Sequence, residues 1–126
     1  MDTKEEKKAW KEVRIGKRFL NAGRGMYVFY KTSSHFFIFP LGILAVAILG
    51  IYFKISATEW TALVLATGFF IVSEVFNTAI EIDIDLTSPG YHPFARDTKD
   101  VSAAAVILSL IVAILVGCII FLPKIF

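Results

Sequence analysis

Between Ser34 and Leu122 the chain passes three times through apolar sequence of membrane-spanning length, with only short polar segments between the passes. The first pass, Ser34–Ile55, reads SHFFIFPLGILAVAILGIYFKI, 22 residues. A helix of that length rises about 33 Å, enough for a hydrocarbon core of about 30 Å. The second runs from Trp60 to Asp85 and the third from Val101 to Leu122. A chain of 126 residues that is 56% hydrophobic is too apolar for an ordinary soluble domain of this size. The expected fold is therefore an all-α membrane protein in one domain (1–126): an N-terminal amphipathic surface helix over 1–31 and three transmembrane helices over 34–55, 60–85 and 101–122. A cytoplasmic loop is expected over 86–100. Cys118 stands alone in an apolar run, which leaves no disulfide and no CxxC metal site, and reads as a packing residue.

The charge is unevenly placed. Nine of the 13 Lys and Arg precede Thr32. In that region Ile15, Phe19, Ala22, Met26 and Phe29 recur at helical spacing, while Lys11, Arg14, Lys17, Arg18 and Arg24 fall mostly elsewhere. A cationic amphipathic helix next to a span is expected to lie on anionic lipid. Its charged part is too long for a signal peptide. Attachment to a span argues against nucleic acid as the partner of these charges. Gly16, Gly23 and Gly25 are expected to weaken or bend this helix. Positive charge marks the cytoplasmic face, so the N-terminus and the second-to-third loop both belong there. Lys54 and Lys124 belong to the other face.

Polar residues inside the second apolar pass carry the chemistry. Glu74, Asn77, Glu81 and Asp85 are spaced +3, +4 and +4, which puts them on one stripe of a helix. One carboxylate inside a span costs about 3 kcal/mol on insertion scales, so a lone buried Glu is already unusual and a stripe marks a site. Asp83, nine residues after Glu74, points away and reads as an interfacial carboxylate. The stripe ends in TSPGYHPFARDTK, whose Ser88, Tyr91, His92, Arg96 and Lys99 offer anion-binding groups. Pro89, Gly90 and Pro93 are expected to break helix there, with Asp100 as N-cap of the third span and Pro123 as its end. The small run SAAA from Ser102 allows close helix approach. Carboxylates suit Mg²⁺ and cations suit phosphate oxygens. No GxxxxGK[ST] and no kinase glycine-rich loop is present. Unaided, the residues describe an interfacial site for a charged ligand, with metal assistance open.

The run EVFNTAIEIDIDLTSPGYHPFARDTKDVSAAAVIL, about 35 residues, resembles the bacterial integral-membrane diacylglycerol kinase and undecaprenol kinase family. The shared pattern is E-x-x-N-[ST]-A-I-E-x-x-x-D, a short loop with YH, then K-D-x-x-[SA]-A-A-V. The SPGYHP loop looks more like the undecaprenol kinase branch. The resemblance implies a homotrimer in the bacterial inner membrane, with sites between subunits and a cytoplasmic N-terminus. It implies transfer of the ATP γ-phosphate to the hydroxyl of a membrane lipid, undecaprenol or diacylglycerol, with Mg²⁺ as cofactor. Glu74 then matches the general base and Asn77 a group that orients it. Glu81 matches a Mg²⁺ ligand. Arg14, Asn21, Asp85, Gly90, Tyr91, His92, Lys99 and Asp100 fall at nucleotide-contacting positions. Base and metal ligand, two turns apart, leave about 10 Å for a phosphoryl group.

Three positions depart from the family pattern. Ser33 stands where a second metal carboxylate is usual, Phe37 where a cation is usual, and Asn21 where an aromatic packs on the nucleotide. A Ser offers Mg²⁺ only a neutral oxygen. The departures leave open a kinase that recruits another ligand (His35 or Asp97), one with altered metal or lipid preference, and a member that binds nucleotide and lipid without turnover. A reading from another class is a small proton-coupled transporter, which would place a Glu at mid-span without a cation-rich loop.

Overall fold

The computed structural model describes residues 3–5, 15–33 and 37–126, so Arg14 and His35 lie outside the described residues. Four principal helices follow in order: α1 (Ile15–Thr32), α2 (Ile38–Tyr52), α3 (Ala57–Thr87) and α4 (Pro93–Ile125). No strand occurs among the described residues. The chain forms two units, residues 1–33 and 34–126.

In the first unit α1 runs unbroken through Gly23 and Gly25. A Cβ at either glycine would meet open space among the described residues. Phe29 is buried, whereas Phe19, Leu20 and Met26 are exposed. Lys31 Nζ lies 5.7 Å from the Tyr27 ring centroid, within cation–π range.

In the second unit the sequence signals at each helix end are legible in the backbone. Helix α2 closes with the Lys54 amide donating to Ile51 O and the Ile55 amide to Gly50 O, with Lys54 at φ 49°. That pattern of paired carbonyls around a left-handed residue is a Schellman stop. Helix α3 then opens on a capping box. Ser56 Oγ accepts from the Glu59 amide at 3.2 Å, and Glu59 Oε2 accepts from the Ser56 amide at 2.8 Å, satisfying two orphan donors at once. Near this turn Ile55, Leu63, Ile120 and Phe121 form a buried apolar cluster, with Trp60, Phe53 and Val116 packed on it.

Helices α3 and α4 are the packed pair. Leu63, Ala66 and Thr78 of α3 are buried, as are Ser102, Val106 and Ser109 of α4. The +4 and +3 spacing on α4 is a helical seam, and small hydroxyl residues on it let backbones approach. Helix α2 adds Phe39, whose ring lies 5.7 Å from that of Phe70.

The helices differ from the expected spans at their ends. The link between α3 and α4 is 88–92, not 86–100, because α4 begins at Pro93. Pro93 acts as a helix starter: its fixed φ suits the first helical position and its missing N–H has no partner to lose there. His92, not Asp100, is the N-cap, with its Nδ1 accepting from the Phe94 amide at 3.2 Å. Nor does Pro123 end α4, which continues to Ile125. A proline this near the terminus forfeits one hydrogen bond while the last turn closes through the Phe126 amide on Leu122 O.

Helices α3 and α4 are long and apolar enough to cross a membrane; α2 is a shorter apolar helix of 15 residues. Most of their apolar side chains face outward, Leu65 at 68% and Ile119 at 72% exposure among them. Contiguous apolar surface of this kind needs lipid or protein to cover it.

Candidate functional site

The C-terminal end of α3, the link and the first two turns of α4 enclose an open cavity of about 370 Å³. Asp85 comes from α3, Gly90, Tyr91 and His92 from the link and cap, and Lys99 and Asp100 from α4. These are six of the eight positions expected to contact nucleotide. Of the other two, Arg14 lies outside the described residues, and Asn21 is exposed on α1 in the separate unit. Arg96 and Ser88 also line the cavity.

The early start of α4 is what gathers these groups. Arg96, Lys99 and Asp100, at i, i+3 and i+4, share one face of a helical start instead of a loop. The N-terminal end of α4 adds the positive end of a helix dipole. With Nδ1 engaged as an acceptor, the neutral His92 ring presents Nε2–H as its donor. Ser88 Oγ donates to Gly90 O at 3.3 Å and tightens the link.

Charge in the cavity is paired but accessible. Lys99 Nζ donates to Asp85 Oδ1, with the two side chains 40% and 67% exposed. Lys99 lies ahead of the apolar stretch of α4, and the Asp85 carboxylate raises its pKa above the ordinary 10.5, so the ammonium stays charged. Arg96 Nε lies 3.6 Å from Asp100 Oδ2, both well exposed. Exposed pairs of this kind contribute little to stability and separate readily when a polyanion offers better partners.

Deeper along α3 the stripe is held from the neighbouring helix. Ser102 Oγ donates to Asn77 Oδ1 at 2.7 Å, and Asn77 Nδ2 donates to Glu81 Oε1 at 3.4 Å. Asn77 and Glu74 are half-buried, Glu81 and Asp85 exposed. Asp83 is exposed and does not line the cavity. The stripe thus grades from a sheltered carboxylate at Glu74 to solvated ones at Glu81 and Asp85.

Among the described residues no three His, Cys, Asp or Glu side chains converge as a metal cage. Mg²⁺ does not require one: it keeps several waters and takes one or two carboxylates together with substrate phosphates. Glu81 and Asp85, one turn apart, are hard oxygen donors that fit this use.

Sequence reasoning passed over Ser102 as a ligand-side residue, reading it only as part of a small run. Its signal was the +4, +3 series Ser102, Val106, Ser109, which marks the face of α4 turned toward α3.

Comparison with known proteins places the chain. A profile of prokaryotic diacylglycerol kinase matches residues 20–121. The undecaprenol kinase of Bacillus subtilis (strain 168) is 36% identical over 111 residues, covering 88% of this chain and 90% of that protein. The diacylglycerol kinase of Synechocystis sp. is 32% identical over 106 residues, covering 83% of this chain and 61% of that protein. The diacylglycerol kinase of Escherichia coli (strain K12) is 27% identical over 79 residues, covering 63% and 65%.

Proposed function

The chain belongs to the prokaryotic diacylglycerol kinase family and is a lipid kinase, and on that premise we propose that it phosphorylates a membrane lipid hydroxyl from ATP at the cavity end of α3 and α4. The observation that supports this is the 370 Å³ cavity that joins Lys99 and Arg96 to Asp85, the outermost residue of the carboxylate stripe. Cations for phosphate oxygens and carboxylates for metal and proton sit on two helices of fixed relation, and phosphoryl transfer is chiefly positioning and charge stabilisation.

In this reading Glu74, half-buried within the apolar stretch, takes the proton of the lipid hydroxyl as its oxygen attacks the γ-phosphorus. The bond from the γ-phosphorus to the bridging oxygen breaks and ADP leaves. Asn77 orients the Glu81 carboxylate through its amide. Lys99 exchanges Asp85 for phosphate oxygens, and Arg96 exchanges Asp100. Tyr91, His92 and Gly90 form the wall of the nucleotide site, and Arg14 and Asn21 are carried as nucleotide-contacting positions by the family resemblance alone. Glu81 and Asp85 would hold Mg²⁺, which would supply positive charge against the phosphates. The assembly is a homotrimer in the bacterial inner membrane, three spans per chain, with the N-terminus in the cytoplasm and sites between subunits. Undecaprenol is the favoured lipid, since the undecaprenol kinase matches over nearly its whole length.

The test is radiolabelled phosphate transfer from Mg²⁺–ATP in mixed micelles, with undecaprenol and diacylglycerol in parallel, alongside Ser33→Glu. Labelled undecaprenyl phosphate is the expected product. Folded protein that labels neither lipid would sink the proposal, and activity gained only in Ser33→Glu would assign the wild type to a binding role without turnover.

A further inference from the structure

The hydrogen bond from Ser102 to Asn77 crosses between helices at the depth of the carboxylate stripe. Ser102 is 6% exposed. Its hydroxyl carries one proton and faces two acceptors, Asn77 Oδ1 at 2.7 Å and Lys99 O at 2.9 Å. A carboxamide has an oxygen end and a nitrogen end of nearly equal size, so its direction is decided by its neighbours. Turned the other way, Asn77 would set Oδ1 against the Glu81 carboxylate, acceptor against acceptor. Turned as found, the oxygen receives the Ser102 proton and the NH₂ faces Glu81 Oε1 at 3.4 Å. The Glu81 contact is long, and its direction depends on the shorter bond behind it.

We propose that Ser102 is a positioning residue for the transfer site. Its hydroxyl fixes the direction of the Asn77 carboxamide and thereby the Glu81 carboxylate that the amide addresses. Ser102 follows Lys99 by one turn of α4 and contacts the Lys99 carbonyl, so one buried hydroxyl ties the phosphate-holding helix to the carboxylate-bearing helix. This inference rests on the stripe being the transfer site, and its test is built to fail separately from that reading.

The sequence offers an unusually clean probe: it contains two asparagines, Asn21 and Asn77, and no glutamine. Protein labelled with ¹⁵N in Asn side chains shows two NH₂ groups, assigned with Asn77→Ala. The Asn77 pair is expected to be shifted from that of exposed Asn21 and slow to exchange. In Ser102→Ala it should move toward the Asn21 position, and Ser102→Cys, which keeps the volume with a weak donor, should show the same change. With transfer assayed on the same samples, Ser102→Ala should lower kcat by about tenfold, the lower end for groups that orient a metal-binding residue, with KM for the lipid held. Ser102→Ala should have no further effect in Asn77→Ala. An Asn77 amide unmoved in both Ser102 variants would overturn the proposal, as would full losses that add in the double variant. Absence of transfer by the wild type would instead overturn the kinase reading, while the amide spectra would still decide whether Ser102 directs Asn77.

Discussion

At one end of the α3–α4 pair Glu59 meets Lys124 at 3.1 Å; at the other Asp85 meets Lys99. The pairings are chemically alike, yet their surroundings differ. Glu59 and Lys124 are each 29% exposed, Glu59 is also engaged by the Ser56 cap, and the cluster of Ile55, Leu63, Ile120 and Phe121 lies in the same region. Asp85 and Lys99 are more exposed and border a cavity. The first pair closes the helix ends over a packed core. The second leaves its charges free to change partners. What separates an anchor from a site here is the space beside the ion pair, not the residue types in it.

If that contrast is right, removing groups at the cavity end should cost activity and leave the fold intact. Glu74→Gln should reduce transfer by about 10²–10⁴-fold, the usual range for a lost general base, with helical circular dichroism unchanged. A variant that retained transfer would move the proton acceptor elsewhere on the stripe. Lys99→Ala should lower transfer by about 10²-fold, as for loss of one preorganised charge donor, and raise the KM for ATP. Its melting temperature should stay near wild type, because the Asp85 left behind is well exposed; a large fall would break the contrast.

At the packed end the effects should be reversed. A Cβ on Gly50 would collide with the Trp60 ring, lying 2.6 Å from Cζ2, and would crowd Ile55 Cδ1 at 3.1 Å. Gly50→Ala should therefore destabilise by about 1–3 kcal/mol, the range for overpacking, while transfer per folded molecule holds. Detergent-exchange melting curves paired with assays would measure both. The smallest effect is in pH. Glu59 lies in the polar turn ahead of the apolar stretch. The Ser56 amide first, and the Lys124 ammonium second, hold its carboxyl below the ordinary 4.5. A carboxyl depressed in the folded state stabilises above its ordinary value and loses that contribution as pH falls through its folded value. The melting-temperature gap between wild type and Glu59→Gln should be constant near neutrality and shrink as the pH drops past 4.5.

Much of this was readable from residue order. The spacing of Glu74, Asn77, Glu81 and Asp85 placed them on one face before any coordinates, because helical period alone decides that. The amphipathic run from Ile15 likewise lies in a helix. The start of α4 was not readable with the same rule. Pro93 follows Pro89 and Gly90 and carries the same breaker signal, yet at the first helical position proline starts a helix. Because Pro93 starts the helix, Arg96, Lys99 and Asp100 lie on helix rather than loop. The Ser56–Glu59 capping box is present in the sequence as S-x-x-E, inside one of the short polar segments between apolar passes. The Ser102–Asn77 bond joins residues 25 apart and depends on the register of two antiparallel helices, which local spacing does not contain.

Helix α4 has 33 residues, about 50 Å of rise against a hydrocarbon core of about 30 Å. In the bilayer of the proposed function, part of that surplus belongs to its first two turns, which carry the cavity cations. The helix then works as a fixed gauge: it sets how high above the acyl chains the phosphate is held, and the lipid hydroxyl has to rise to that mark. Bilayer thickness becomes a control on the reaction. In vesicles of graded acyl length, turnover should pass through a maximum where the hydroxyl and the gauge coincide, with a modest elastic cost on either side.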